Sequence, residues 1–228
     1  MLTQEQVEFY QTQGYLIVEN VLRADEVDTA RAIVDDFVEA SRLVTEQNRH
    51  FDLEPGHTAE NPKVRRMSSP VTYHPFFDEL MRDPRVLDML SPLIGHAIRA
   101  QGNKLNMKPP EVGSAVEWHQ DFAHYPHTND DLCAVGIALE DATEENGCMM
   151  VVPGSHKGPI LDHHQDGVFI GAISPGRDHI DLSSAVPLVL SAGSLSIHHA
   201  RTLHGSAQNT SLHGRRLLRS EEHTSELQ

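Results

Sequence analysis

The pattern of apolar and turn-forming residues changes near residue 96, and this change restricts the fold more than any other feature. Beyond it, short apolar segments alternate with turn-forming residues, which is typical of a β-sandwich or barrel. Pro153-Gly154-Ser155 and Ala192-Gly193 provide two of the turns. The predicted strands are residues 98–107, 133–139, 148–152, 186–190, 194–198 and 215–218.

The first third of the chain has a helical pattern instead. Thr3 followed by Gln6 predicts a capping box, and Gly14 lies where a left-handed residue would end a short helix. A strand is expected at 15–18, and helices at 76–81 and 84–93, the second opened by Pro84. Residues 24–44 are predicted to be a helix because apolar residues recur there at spacings of three and four: Val27, Ala30, Val34, Phe37 and Val38.

These elements predict a single α+β domain, mainly β, over residues 1–218. Helices would pack on a jelly-roll-like barrel. Residues 49–75 contain Pro, His, Ser and Asn without a sustained period, so we expect a long loop, of the length that forms lids.

The last ten residues, 219–228, differ in composition and pattern from the rest of the chain. They are polar, have no period, and match the translation of a common sequencing-library adapter. We therefore expect residues 219–228 to be non-native and the domain to be truncated after residue 218. One or more of its last strands would then be missing.

The charge balance argues against nucleic acid as a partner. The chain has 18 Lys and Arg against 33 Asp and Glu, a formal net charge of −15, which repels phosphate backbones. No apolar run approaches the roughly 20 residues that cross a bilayer. Two cysteines are too few for a disulfide framework, and the first residues do not resemble a signal peptide. These features predict a cytoplasmic protein with a small-molecule substrate, and they specify no oligomeric state.

Histidine is abundant, with 16 copies, and imidazole is a common metal ligand. A non-haem iron(II) oxygenase site requires two imidazoles and one carboxylate on one face of the ion. In an extended His-x-Asp segment both side chains project to the same side. Three copies occur, beginning at His119, His164 and His179.

Sequence context favours the first copy, His119-Gln-Asp121. It leaves room for the strands of a jelly roll before a distal histidine near residue 204. In the second copy, Asp166 precedes Gly167, which predicts a turn, and the third copy leaves only a short intervening segment. His164 and Asp166 remain the alternative pair, and His163 or His164 a possible contact to substrate.

Three segments closely resemble the phytanoyl-CoA dioxygenase family: Trp118-His-Gln-Asp-Phe122, residues 145–158 with the sequence ENGCMMVVPGSHKG, and His204-Gly-Ser-Ala-Gln-Asn209 before Arg215-Arg216. The likeness extends over most of the chain. It implies a double-stranded β-helix, Fe(II), 2-oxoglutarate as cosubstrate and O2. It also selects His204, which heads the family's His-Gly-Ser pattern, over His198 and His199. The implied ligands are therefore His119, Asp121 and His204.

The resemblance further implies a cation for the far carboxylate of 2-oxoglutarate. Arg215, eleven positions after His204, matches the family's arginine, and a guanidinium binds a carboxylate through two parallel hydrogen bonds. Arg216 should point the opposite way along the strand. Lys104 and Asn106 are further candidate cosubstrate ligands, and Ser206 is another.

With Asp121 present, the resemblance implies hydroxylation of a C–H bond, giving succinate and CO2. The alternatives are a cupin-like metal-binding protein without oxygenase activity and a folded pseudoenzyme that acts as a binding module. His156 is expected in a turn rather than at a metal. The basic cluster Lys63, Arg65 and Arg66 is interpreted as solvated surface in preference to a contact for an anionic substrate.

Overall fold

Two antiparallel sheets contribute side chains to a common interior in the computed structural model, which describes residues 1–125, 127–173 and 180–224. The strands in chain order are β1 (Tyr15–Val18), β2 (Phe51–Leu53), β3 (Val64–Ser68), β4 (Ile98–Lys108), β5 (Val116–His119), β6 (Leu132–Ala138), β7 (Met149–Val151), β8 (His164–Gln165), β9 (Val168–Phe169), β10 (Val186–Leu188), β11 (Leu195–His199), β12 (His204–Ser206) and β13 (Arg215–Thr224). The larger sheet has the order β1-β11-β6-β13-β4-β3-β2 and the smaller β10-β7-β12-β5, while β8 and β9 form a hairpin. The predicted mainly-β jelly roll is confirmed.

Four helices accompany the larger sheet: α1 (Gln4–Gln13), α2 (Ala24–Ala40), α3 (Pro75–Met81) and α4 (Pro84–Ile94). Thr3 and Gln6 form the predicted capping box, and Gly14 ends α1 with a φ of 80°. Apolar residues of the helices share one buried cluster with residues of β4, β6 and β11. The N-terminal third thus covers one face of the larger sheet, as predicted.

Strand β6 lies inside the larger sheet and is buried along its whole length. Cys133, Val135 and Ile137 belong to the cluster under the helices. Alternate residues project the other way because side chains alternate across a strand, and they are small there: Ala134, Gly136 and Ala138. A Cβ on Gly136 would lie 2.8 Å from Ser196 Oγ, so the crowded interior requires small residues at this strand.

The prediction of a loop over 49–75 was wrong. That segment contains β2 and β3, which pair with each other, and β3 also pairs with β4. The strands are three and five residues long and lie at the edge of the sheet. Two consecutive arginines interrupt the alternation that a half-buried strand normally shows. The short strands β5 and β12 were also absent from the predicted strands.

The strand predicted at 215–218 continues to Thr224, so residues 219–224 lie between β4 and β6 in the larger sheet. Ser220, Glu221 and Glu222 are buried in this stretch. Buried carboxylates are rare unless they are paired. The non-native origin of residues 219–228 stays a prediction, and the structure gives its first six residues a strand position.

Cys133 and Cys148 are free thiols, and both are buried. Across the described ranges, every helix is too short or too polar to traverse a bilayer.

Gly14 offers a test of the packing between α1 and the rest of the fold. A Cβ there would lie 2.6 Å from Thr202 Oγ1 and closer still to the His156 ring. We expect Gly14→Ala to destabilise the protein by about 2–4 kcal/mol, combining left-handed strain with overpacking. Gly167→Ala is the matched control: its φ is 78°, with nothing within 4 Å of the added carbon, and it should cost only about 1–2 kcal/mol. Equal losses in urea unfolding would contradict the steric argument.

Candidate metal centre

The pairing of β5 with β12 brings two histidines together. His119 is the last residue of β5, His204 is the first of β12, and the two are direct partners in the antiparallel register. Asp121 follows β5 in a short 3₁₀ turn. Ligand atoms of His119, Asp121 and His204 all lie within 4.8 Å of one another, and the three residues are buried. The structure therefore brings together the three residues singled out in the sequence.

Backbone hydrogen bonds orient both imidazoles. His119 Nδ1 is 2.8 Å from the Glu117 carbonyl, and His204 Nδ1 is 2.9 Å from the Thr202 carbonyl. The Nε2 atoms then face Asp121, at 3.6 Å from Oδ1 for His119 and 3.7 Å from Oδ2 for His204. His204 Nε2 is buried and has no hydrogen-bond partner. A carbonyl on Nδ1 with a free Nε2 is the usual arrangement of a metal-binding histidine, so the donor set fits a divalent metal.

The electrostatics favour the protonation states that a metal requires. Burial, followed by the proximity of His119, holds the pKa of His204 well below its usual range, so this imidazole is neutral. Burial alone would raise the pKa of Asp121, but the Arg219 guanidinium holds it well below the usual range. A neutral imidazole and an ionised carboxylate are the binding forms of these ligands.

Two further side chains contact Asp121 and were not assigned a role in the sequence. His198 Nε2 lies 3.0 Å from Asp121 Oδ2 and is buried. Arg219 Nη2 donates to the same oxygen. The sequence presents His198 only as a rival metal ligand. His198 lies two positions after the buried Ser196 on β11, and residues two positions apart on a strand project to the same face. Asp121 is thus oriented by a histidine from the opposite sheet.

A cavity of about 360 Å³ opens beside His119 and Asp121. Lys104 and Asn106, predicted to contact the cosubstrate, both line it. Arg65 and Arg66 line it too and are partly buried, so the alternative interpretation, a contact for an anionic substrate, stays open. The remaining lining residues are Val116, Glu117, His124, Tyr125, Ile170, Gly171, Ala172 and Arg219.

Arg215 is not among the residues that line this cavity; it is buried at the start of β13. Its Nη2 donates to the Gly147 carbonyl at 3.1 Å, and its Nε has no partner. Among the described residues, no carboxylate forms an ion pair with it, and burial lowers its pKa to about 10. Arg216 points the other way, as predicted, and pairs with Asp35 and Glu140. Ser206 lies on β12, two positions from His204, and is partly exposed.

The competing His-x-Asp copies are placed differently. His164 is exposed on β8, and Asp166 has a φ of 51° in the tight turn to β9, which confirms the predicted turn. His179, in the third copy, lies outside the described residues. His163 is buried, and its Nε2 accepts a hydrogen bond from the backbone N–H of Gln120 at 2.9 Å. It therefore supports the residue between two of the metal-ligand candidates.

His156 also follows its prediction. It lies in the 3₁₀ turn Ser155–Lys157, and its Nε2 is 3.2 Å from the Gln11 carbonyl. This contact ties the turn to α1 and not to the metal candidates.

Comparison with known proteins identifies one family. The sequence model of the family described as Phytanoyl-CoA dioxygenase (PhyH) matches residues 10–217. A probable alpha-ketoglutarate-dependent hypophosphite dioxygenase from Stutzerimonas stutzeri is 37% identical over 94% of this chain and 76% of its own length. An ectoine dioxygenase from Bordetella bronchiseptica is 27% identical over 92% of this chain and 71% of its own.

Solved structures show the same fold. The crystal structure of EctD from S. alaskensis with bound Fe superposes with a TM-score of 0.82 at 19% identity, covering 98% of this chain and 77% of that one. The α-ketoglutarate-dependent carbocyclase SnoK from nogalamycin biosynthesis gives a TM-score of 0.77 at 24% identity, covering 98% and 85%. These likenesses confirm the jelly-roll fold.

Arg219 makes a prediction about metal affinity, because its guanidinium contacts Asp121 Oδ2 and its positive charge would lie beside that of a bound metal. We expect Arg219→Ala to tighten Fe(II) binding by roughly tenfold, about 1.4 kcal/mol. The metal-free protein should lose about 3–5 kcal/mol of stability, since a buried carboxylate loses its partner. Anaerobic metal titration and urea unfolding measure the two effects.

The control is Arg42→Ala, whose ion pair with Glu39 is on the surface. It should leave both quantities nearly unchanged. Unchanged or weaker Fe(II) binding in Arg219→Ala would show that the guanidinium does not compete with the metal.

Proposed function

Because this chain belongs to the phytanoyl-CoA dioxygenase family of 2-oxoglutarate-dependent non-haem iron enzymes, we propose that His119, Asp121 and His204 hold its Fe(II). In this proposal the enzyme hydroxylates an unactivated C–H bond of a small organic substrate and converts 2-oxoglutarate and O2 to succinate and CO2. The observation that carries it is the convergence of three buried ligand atoms within 4.8 Å. The cupin-like alternative is not favoured, since the matching family is one of dioxygenases.

The residues of the chain provide binding and orientation. His119, Asp121 and His204 would hold the iron through two imidazoles and one carboxylate, a ligand set that would leave coordination positions for cosubstrate and oxygen. When bound, the iron couples oxidative decarboxylation of 2-oxoglutarate to oxygen insertion into the substrate. His198 holds Asp121 through its 3.0 Å contact, and the carbonyls of Glu117 and Thr202 keep both imidazoles directed at the metal position.

Arg215 is proposed to bind the far carboxylate of 2-oxoglutarate. It is buried without an ion pair among the described residues, which is costly for a guanidinium unless an anion arrives. Lys108, its direct partner on β4, is also buried, and burial together with Arg215 lowers its pKa to about 7. A buried guanidinium without an ion pair favours a carboxylate ligand, and Lys108, whose Nζ donates to the Ser114 and Ala207 carbonyls, adds positive charge only while it is protonated. Ser206, the last residue of β12, is a further proposed polar contact to 2-oxoglutarate.

Lys104 and Asn106 are proposed to contact the cosubstrate nearer the metal, because both line its cavity. In the structure Lys104 Nζ pairs with Glu221 at 3.0 Å. Glu221 belongs to residues 219–228, which are predicted to be non-native, so the role of Lys104 depends on the origin of that segment.

We also propose that residues 1–218 belong to a single 2-oxoglutarate dioxygenase-like domain and that residues 219–228 are non-native. The family match stops at residue 217. The adjoining strand segment buries two consecutive carboxylates, and burial raises the pKa of Glu222 to about 7. Glu221 pairs with Lys104, but Glu222 forms no ion pair among the described residues, and an unpaired buried carboxylate is uncommon in a native strand.

A second candidate for the oxidised bond is P–H. The relative that is 37% identical is named for hypophosphite, whose hydrogens are on phosphorus. The same metal centre would serve, and the difference would lie in the substrate cavity.

The proposal is tested by anaerobic titration of the metal-free protein with Fe(II) and then 2-oxoglutarate. We expect a visible charge-transfer band that is abolished in His119→Ala and retained in His164→Ala, since only the first histidine lies at the buried cluster. Circular dichroism verifies folding of each variant. Loss of the band in His164→Ala would show that the metal is bound by the His164 motif and not by the His119 motif. A folded wild type without a band would overturn the proposed function.

Arg215 is tested through the concentration of 2-oxoglutarate that half-saturates this band. Removal of a charged hydrogen-bond partner costs about 1.5–3 kcal/mol, so Arg215→Ala should raise that concentration by roughly tenfold to a hundredfold. Arg216→Ala is the neighbouring control, since its side chain lies on the opposite face with Asp35 and Glu140. Equal shifts in the two variants would remove Arg215 from the cosubstrate site.

A further inference from the structure

Strand β3 contributes two arginines to the lining of the metal cavity because it has a bulge. Asp52 of β2 pairs with Arg66 and Leu53 pairs with Val64, so Arg65 is an extra residue without a partner on β2. An extra residue of this kind changes which face the following side chains occupy. Val64 and Met67 are buried in the cluster under the helices, which leaves the two residues between them directed at the cavity.

The register with β4 supports this direction. Arg66 is the direct partner of Asn106, and Ser68 is that of Lys104. Direct partners in an antiparallel pair project to the same face. Asn106 and Lys104 both line the cavity with His119 and Asp121. The bulge therefore places a guanidinium pair on the wall of the metal cavity without disturbing the apolar packing behind it.

These arginines are only weakly neutralised. Arg66 Nη1 lies 3.4 Å from Asp52, a half-exposed pair, and its buried Nε has no partner. Arg65 Nη2 donates to the Ala115 carbonyl at 3.2 Å, and among the described residues it forms no ion pair. Glu117 and Asp121 are the acidic residues of the lining. A chain with a net charge of −15 thus concentrates unpaired positive charge at its metal cavity.

We propose that the substrate is a small oxyanion, bound by Arg65 with Arg66 beside it. The inference rests on the proposed oxygenase function. A guanidinium fork matches the geometry of carboxylate and phosphorus oxyanions. A cavity of about 360 Å³, near the lower end of ligand pockets, must also admit 2-oxoglutarate, so the anion is small. Arg215 lies outside this lining, which separates the substrate cations from the proposed cosubstrate cation.

The reaction on such a substrate balances with the proposed cosubstrates. The substrate R–H, 2-oxoglutarate and O2 give R–OH, succinate and CO2. One oxygen atom enters the R–H bond and the other enters succinate. The four electrons that reduce O2 come in pairs from the substrate and from the decarboxylated acid. R–H is a C–H bond in a short carboxylate and a P–H bond in hypophosphite.

The test compares oxyanions with neutral molecules of the same shape. Propionate, butyrate and hypophosphite are the anionic probes, and propionamide and butyramide are the neutral ones. Trp118, the single tryptophan, precedes His119 and reports binding to the metal-free protein by fluorescence. Substrate-dependent succinate formation in the iron-loaded enzyme separates carbon from phosphorus oxyanions. We expect at least one oxyanion to bind and be turned over, and neither amide to do so.

The variants are Arg65→Ala, Arg65→Lys and the control Arg99→Ala, which removes an exposed arginine of β4. Loss of hydrogen bonds to a charged group should raise the oxyanion Kd and KM by roughly tenfold to a hundredfold in Arg65→Ala. Arg65→Lys should recover part of the loss, because it keeps the charge but not the fork. Arg99→Ala and the 2-oxoglutarate titration of all variants should stay within about twofold of wild type.

Several results would overturn the proposal. Turnover of the amides as efficiently as the acids would remove the need for an anion. An unchanged oxyanion Kd and KM in Arg65→Ala would remove this residue from the site. A weakened 2-oxoglutarate titration in Arg65→Ala would assign the arginine to the cosubstrate. Failure of wild type to form the iron and 2-oxoglutarate band would instead defeat the oxygenase function itself, so the two failures are distinguishable.

Discussion

The site depends on the antiparallel pairing of β5 with β12. This pairing makes His119 and His204 direct cross-strand neighbours, and their ring centroids lie 4.1 Å apart. Two imidazoles this close are repulsive when charged, and burial lowers the pKa of His204 further. The strand register therefore places His204 beside His119 and helps to keep the His204 imidazole neutral. Asp121 joins them because the chain turns directly after β5.

Burial of Asp121 imposes a second constraint. A buried carboxylate must be ionised to bind a metal, yet desolvation opposes its charge. The fold offsets this cost with a contact from His198 on the opposite sheet, and in this chain with Arg219 as well. Both contacts are to Oδ2, whereas Oδ1 faces His119. A metal is expected to take over the charge compensation that Arg219 provides, while His198 continues to orient the carboxylate.

Much of the fold could be predicted from local chemistry, and the failures have physical causes. The cap at Thr3, the left-handed Gly14 and the periodic apolar residues of α2 are encoded within a few positions of the chain. β2, β3, β5 and β12 are three to five residues long and carry polar residues that interrupt an apolar pattern. These segments form strands because they pair with other strands in the sheet. The periodicity of a single sequence does not indicate which segments pair.

The same reasoning applies to the site. His119, Asp121 and His204 could be selected because a metal requires particular residue types and the family resemblance supplied the distal histidine. His198 could not be assigned, since its contact with Asp121 joins residues on opposite sheets. Arg65 and Arg66 looked like an ordinary charged surface because the bulge that turns both toward the cavity depends on the pairing of β2 with β3.

The acidic surface and the cationic cavity have separate physical consequences. A net charge of −15 acts over a screening length of about 8 Å at physiological ionic strength, so it governs approach from solution and disfavours large polyanions. Within the cavity the nearest charges dominate, since partial exclusion of water strengthens their field. A small anion crosses the screened acidic field at little cost and meets guanidinium groups inside. For the proposed oxyanion substrate, this combination would select against large anions, which remain within the acidic surface field, and it would link substrate size to substrate charge.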